Sequence, residues 1–246
     1  MTEGGLAGAA AREGERVARR GRIREVVFGA QDGLLSTLAL VTGVRGADAT
    51  RYAILVAGFA GALAGTISMA LGAYVAAKSQ REVFEAELEK ERQQLELRPH
   101  VETVELADIF EAEGLDYDSA RIAANAIATN PEVMLKTMAE KELGIPYEAT
   151  GSPYEDAVTM GTAFVIGSAV PVLPYLLVSP TAGLFLSVVL TLAALFGLGV
   201  AKARLAGTGR LRSGAETAGL AGLAAALAYL VGTVLPNALG ISPPPG

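Results

Sequence analysis

A lone carboxylate stands in an otherwise apolar stretch: Asp32, in Phe28-Gly29-Ala30-Gln31-Asp32-Gly33-Leu34-Leu35. A charged side chain at the centre of a helix in lipid costs several kcal/mol, and such residues pair with a partner or mark ion and proton paths. Two readings stay open for Asp32. It is a buried polar group bonded to a neighbouring helix, or it is a cation ligand and proton carrier. Met69, in Gly65-Thr66-Ile67-Ser68-Met69-Ala70, offers a thioether, a soft donor suited to transition metals or a plain packing group. Carboxylates gather further along. Glu102 and Glu105 share one helix face at i, i+3, Met138 and Glu142 recur at i, i+4, and Glu91 lies three residues before Gln94. Oxygen donors from several helices suit Fe2+, Mn2+, Mg2+ or Ca2+, whereas a glutamate-rich helix with no such role is a solvated face. His100 is the single histidine, and one imidazole makes no site.

The elements that must hold these residues follow from hydropathy. The chain has 246 residues, half of them hydrophobic, no Trp and no Cys. Residues 156–178, 182–201 and 215–235 are nearly uncharged, 53–77 carry no charge, and 26–44 carry only Asp32. Each is long enough for ~30 Å of hydrocarbon. The expected fold class is therefore an all-α membrane protein of five transmembrane helices, because helices satisfy their own backbone in lipid. Between spans two and three, residues 78–148 hold 17 acidic against 8 basic side chains, while the rest of the chain is net positive. The expected division is a basic tail over 1–22, spans one and two over 23–77, an acidic helical module over 78–150, and spans three to five over 151–246.

Within the module, span two continues without Gly or Pro as a rod to Arg98-Pro99. Further helices are expected over Val101–Glu113, from an Asp118 N-cap to about Asn130, and over Pro131–Leu143 before Gly144. Residues 1–20, Gly- and Ala-rich, read as disordered, and Gly144–Pro153 as a linker. Gly61 and Gly65 fit a small-xxx-small pattern that lets helices pack closely.

Arginines at 12, 16, 19, 20, 22 and 24, with Lys202, Arg204, Arg210 and Arg212, mark one side of the bilayer; Arg45 and Arg51 are the cations of the other. The positive-inside rule then puts the N-terminus and the acidic module in the cytosol and the C-terminus outside. Without Cys there are no disulfides and no thiolate sites. No His-centred triad and no phosphate-cradling Gly loop are present, so neither enzymatic nucleophilic catalysis nor nucleotide binding is expected. An acidic module disfavours nucleic acid.

Taken in order, these motifs resemble the vacuolar iron transporter family from about Arg22 onward. The resemblance rests on Asp32-Gly33-Leu34, on Ser68-Met69-Ala70-Leu71-Gly72-Ala73-Tyr74, on Glu91, Glu102, Glu105 and Met138 with Glu142-Leu143-Gly144, and on Val170-Pro171-Val172-Leu173-Pro174-Tyr175. It implies a homodimer in the lipid bilayer that moves Fe2+, and often Mn2+, out of the cytosol against protons, with no tightly bound cofactor. It places metal capture on Glu91, Glu102, Glu105 and Glu142, with Met138 beside them. The path falls on Asp32 and Met69, with Glu25 at its cytosolic mouth. Three positions depart from the family. Gly61 stands where eukaryotic members carry a glutamate, Gln94 replaces a carboxylate of the rod, and Ala139 replaces a second Met. The short tails fit a prokaryotic member in a plasma membrane. Two rival readings are a membrane-anchored metal buffer or sensor without flux, and an interaction scaffold whose acidic helices form a docking surface.

Overall fold

The computed structural model describes residues 3–145 and 152–240, and all its elements are helices. They are α1 (Glu3–Gly46), α2 (Arg51–Leu97), α3 (Pro99–Ala112), α4 (Tyr117–Ala128), α5 (Pro131–Lys141), α6 (Pro153–Leu177), α7 (Pro180–Ala206) and α8 (Arg210–Ala238). Five carry stretches long and apolar enough to cross a membrane: Ile23–Gly46 of α1, α2, α6, Pro180–Arg204 of α7 and Arg210–Pro236 of α8. The chain is an integral, multi-pass membrane protein, as the hydropathy predicts.

Contacts divide it into two compact units. The first comprises Met1–Tyr74 with Tyr154–Gly246, the second Val75–Pro153. In the first, the backbones of α1 and α6 meet at glycines. A Cβ at Gly29 would lie 2.6 Å from the Met160 carbonyl oxygen, and one at Gly33 would collide with that of Phe164. Opposite them, a Cβ at Gly167 would meet the Ala30 carbonyl. The Gly61 and Gly65 pattern on α2 packs differently, receiving the side chains of Leu40 and Phe164. Val41, Ile54, Val172 and Tyr175 form one buried cluster, and Leu34, Leu195 and Ala221 another. Pro171 and Pro174 lie inside α6, and the Ser187 hydroxyl donates to the Pro171 carbonyl at 2.8 Å. A hydroxyl on the neighbouring helix thus occupies a main-chain acceptor in the proline-containing stretch.

In the second unit, the last turns of α2 join α3, α4 and α5. Pro99 cannot donate its missing N–H, so α2 ends at Leu97 and α3 restarts with Pro at its first turn. The core comprises Leu106, Ala107, Ala124, Met134 and Met138, with Leu95 of α2 packed against it.

Three expectations need correction. The chain over 3–20 is helical, continuous with span one, because Ala, Arg and Glu are strong helix formers. The cap of α4 is Asp116, whose carboxylate accepts from the Ser119 N–H at 3.1 Å; Asp118 sits inside the first turn. The last module helix stops at Lys141, two residues early, since Gly144 turns left-handed at φ 65° just after it. The middle of the expected linker, 146–151, lies outside the described residues.

Candidate metal sites

The module unit holds the denser site. Glu91 comes from α2, Glu102 from the first turn of α3, and Glu142 from the C-cap of α5. One carboxylate oxygen of each lies within 4.8 Å of those of the other two. Glu91 and Glu102 are buried, at 2% and 3% exposure, and Glu142 closes the cluster from its exposed side. The local fold explains the convergence. Pro99 forces the α2–α3 turn that brings Glu102 back beside Glu91, and Met138 in the module core anchors α5 so that its C-terminus carries Glu142 to both.

The electrostatics are those of a site that lacks positive charge. Glu91 is pushed up to about 7 by burial first, then by Glu142, Glu102 and Glu105. Burial and Glu105 raise Glu102, against a smaller lowering by Arg98; burial, Glu105 and Glu102 raise Glu142. Glu91 Oε1 and Glu102 Oε2 are buried without a hydrogen-bond partner. Unpartnered buried carboxylate oxygens cost several kcal/mol unless a cation meets them. The C-terminal end of α5 adds partial negative charge beside Glu142, which favours a cation further. Three hard oxygen donors from three helices fit a divalent ion of the Fe2+, Mn2+ or Mg2+ kind.

Not every expected ligand joins this trio. Glu105 is exposed and acts on the three through its charge, while its carboxylate lies outside the close cluster. Met138 is fully buried, its thioether among Leu106, Ala107, Ala124 and Met134, and Ala139 is buried next to it. Gln94 is exposed, and its side chain makes no hydrogen bond among the described residues.

The membrane unit holds the second site. Asp32 and Met69 line one groove of about 210 Å3 between α1, α2 and α6, as their pairing on adjacent spans predicts. Ser36, Thr37, Ser68 and the ring of Phe164 share it, with Gly61 and Gly65 in its α2 wall. The Asp32 carboxylate has no hydrogen bond or ion pair among the described residues; Ser36 donates at 2.6 Å to the Asp32 main-chain oxygen instead. Among the described residues, then, no neighbouring helix bonds this carboxylate. Ser36, Thr37 and Ser68 escaped sequence reasoning, although Ser36 lies one turn from Asp32 and Ser68 beside Met69. Glu25 is buried in α1. Its Oε1 accepts from Arg24 Nε at 3.2 Å, and its Oε2 has no partner.

A five-span helical protein with one unpaired carboxylate beside a thioether in its membrane unit, and three converging carboxylates in its second unit, belongs among membrane proteins that handle divalent cations. The particular family follows from comparison: residues 23–233 match the VIT family, and the chain belongs to it. It is 36% identical over 214 residues to vacuolar iron transporter 1 of Arabidopsis thaliana, covering 87% of this chain and 86% of that protein. It is 38% identical over 209 residues to vacuolar iron transporter 2 of Oryza sativa subsp. japonica, covering 84% and 85%. Protein CCC1 of Saccharomyces cerevisiae is 28% identical over 216 residues, covering 84% of this chain and 67% of that protein.

Proposed function

We propose that this protein is a divalent-metal transporter that carries Fe2+, with Mn2+ as a second cargo, out of the cytosol in exchange for protons. The observation that carries the reading is the carboxylate trio of Glu91, Glu102 and Glu142, with its unpartnered buried oxygens. The names of the similar proteins from Arabidopsis and rice agree with iron as cargo.

The two sites divide the work. Metal collects on the trio, where three negative charges raise its local concentration and hold it. It then passes to the groove, where Asp32 and Met69 offer one charge and one soft donor, a weaker set that releases as readily as it binds. Proton and cation compete for a desolvated carboxylate. Protons arriving at Asp32 from the far side eject the metal, and the next ion displaces them. Glu25, buried with one free oxygen, serves the mouth of span one. The arginine distribution supports an N-terminus and acidic module in the cytosol. The functional unit is a homodimer on this reading, and its proposed domain plan keeps the boundaries at residues 22, 77 and 150, the last two near the contact boundaries after Tyr74 and before Tyr154.

One observation favours a second reading, a membrane-anchored metal buffer or sensor. Position 61 is Gly, so the groove contains a single carboxylate. The two readings part on flux. Fe2+ entry into proteoliposomes under an imposed pH gradient is expected for wild type and lost in Asp32→Ala. Bound metal without flux in the well-folded wild type would select the buffer.

A further inference from the structure

Gln31, the neighbour of Asp32, lines a different cavity. It lies in the membrane unit among α1, α7 and α8, has a volume of about 210 Å3, and shares no residue with the Asp32 groove. Its polar wall is Gln31, Lys202, Ser213, Glu216 and Thr217; Leu195 and Leu220 continue it as an apolar slot. Lys202 sits in the last turns of α7 and Glu216 in the second turn of α8. Lys202 thus lies two residues before the end of one bilayer-length stretch, Pro180–Arg204, and Glu216 six residues after the start of the next, Arg210–Pro236, towards the ends from which charged side chains reach the headgroups.

Two features define what fits. First, Lys202 and Glu216 share this cavity but form no ion pair with each other or with another side chain among the described residues. For exposed side chains the attraction between opposite charges is weak, so each stays available to a ligand that offers a better partner. Both side chains are exposed at the cavity and unpaired with each other, so they offer a cationic and an anionic pole to one guest. Second, the backbone fixes the donors and acceptors. Gly199 lets α7 approach α8 so closely that a Cβ there would lie 2.7 Å from the Ser213 carbonyl oxygen. Thr217, which lines the cavity, donates its hydroxyl proton to that same carbonyl at 2.9 Å, which leaves the lone pairs of its oxygen able to accept. Glu216 and Thr217 thus accept, while Lys202 and the Gln31 amide donate.

We propose that this cavity holds the headgroup of a phosphatidylethanolamine-type lipid, with the phosphate on Lys202, the primary ammonium on Glu216, and the start of the acyl chains along Leu195 and Leu220. The volume lies below the ~300 Å3 at which drug-sized pockets begin, which suits a headgroup. A choline headgroup has the same charges but no N–H to give Glu216 and Thr217. An anionic glycerol headgroup leaves Glu216 without a cation. Charge-assisted hydrogen bonds on both poles set the preference.

The test is native mass spectrometry of the full-length protein titrated with ethanolamine, choline and glycerol phospholipids of identical acyl chains. The expected result is retention of the ethanolamine lipid with about tenfold preference over the other two, the effect of one charge-assisted hydrogen bond. Glu216→Gln should erase that preference, and Lys202→Gln should weaken ethanolamine-lipid binding about tenfold. Thr217→Val removes the acceptor oxygen together with the O–H that caps the Ser213 carbonyl, leaves both charges in place and keeps the test open should Glu216→Gln fail to fold; it should lower the ethanolamine-over-choline preference severalfold. Equal retention of all three lipids by wild type, a preference for the glycerol lipid, or an unchanged preference in both Glu216→Gln and Thr217→Val overturns the proposal. Displacement of the lipid by soluble O-phosphoethanolamine at equal concentration overturns the bilayer as the source.

Discussion

The trio in the module and the groove in the membrane unit both use carboxylates, but in opposite settings. Glu91, Glu102 and Glu142 crowd three carboxyl groups within 4.8 Å, so their charged forms repel one another until a proton or a cation arrives. Asp32 has a groove with a thioether and three hydroxyl side chains, and no second acid. The first arrangement binds by need, since its ligands are destabilised when empty. The second binds with one formal charge, which leaves a divalent ion half neutralised and easily displaced. A site for capture and a site for passage should differ in this way. Conduction requires binding strong enough to admit an ion and weak enough to let it go.

The comparison breaks most visibly at the trio. Glu91→Gln or Glu102→Gln should weaken metal binding to the full-length protein by about 10–100-fold, at least what loss of an outer-shell partner costs a metal site. Calorimetric titration with Mn2+ reads this directly. An unchanged affinity would remove the trio from the account.

Acidity sharpens the contrast next. The folded value for Glu91, about 7, lies above its ordinary 4.5. A carboxyl raised in the fold adds stability below its unfolded value, and that stability is lost as pH rises through the folded one. The metal-free module should therefore lose stability between about pH 4.5 and 7, while its metal affinity rises over the same interval as the ligands ionise. Melting temperatures with and without Mn2+ at pH 5 and pH 8 should diverge, with the larger metal-induced gain at pH 8. In Glu91→Gln the metal-free loss should shrink by about 1–2 kcal/mol.

Glycines in the membrane unit should separate by what they face. Gly33→Ala drives a methyl into the Phe164 carbonyl, a main-chain atom, and should cost about 1–3 kcal/mol. Gly61→Ala meets only the end of the half-exposed Leu40 side chain and should cost less. Thermal unfolding in detergent compares the two, and equal losses would contradict backbone-to-backbone packing of α1 on α6.

The smallest effect belongs to Met69. Met69→Leu keeps the volume and removes the soft donor. Half-saturation for Fe2+ should rise a few-fold with little change for Mg2+, in transport assays that compare the two ions. A parallel change for both would make Met69 a packing residue.

Much of this architecture was legible in the sequence because its causes are local. Five long apolar stretches, Pro99, Pro131 and the turn at Gly144 set the spans and the module helices from hydropathy and backbone rules. The pairing of Asp32 with Met69 was also legible, since adjacent spans must meet. What escaped depends on distance through space. Helical spacing puts Glu102 and Glu105 on one face, yet Glu102 turns into the cluster with Glu91 and Glu142 while Glu105 stays at its edge. Met138 and Glu142 share a face too, but the core takes the thioether and the helix end takes the carboxylate. Nor could spacing reveal that Phe164 and Thr37 wall the Asp32 groove, because that follows from how α6 sits on Gly29 and Gly33.

The division between capture and passage is tested most directly by Fe2+ flux into proteoliposomes as a function of Fe2+ concentration, under a fixed pH gradient, for wild type, Glu91→Gln and Asp32→Ala. The account predicts that Glu91→Gln shifts half-saturation to higher Fe2+ while keeping the maximal rate. Asp32→Ala should abolish the rate at every concentration while retaining metal binding at the trio. Intact flux in Asp32→Ala, or the same loss of maximal rate in both variants, would contradict it.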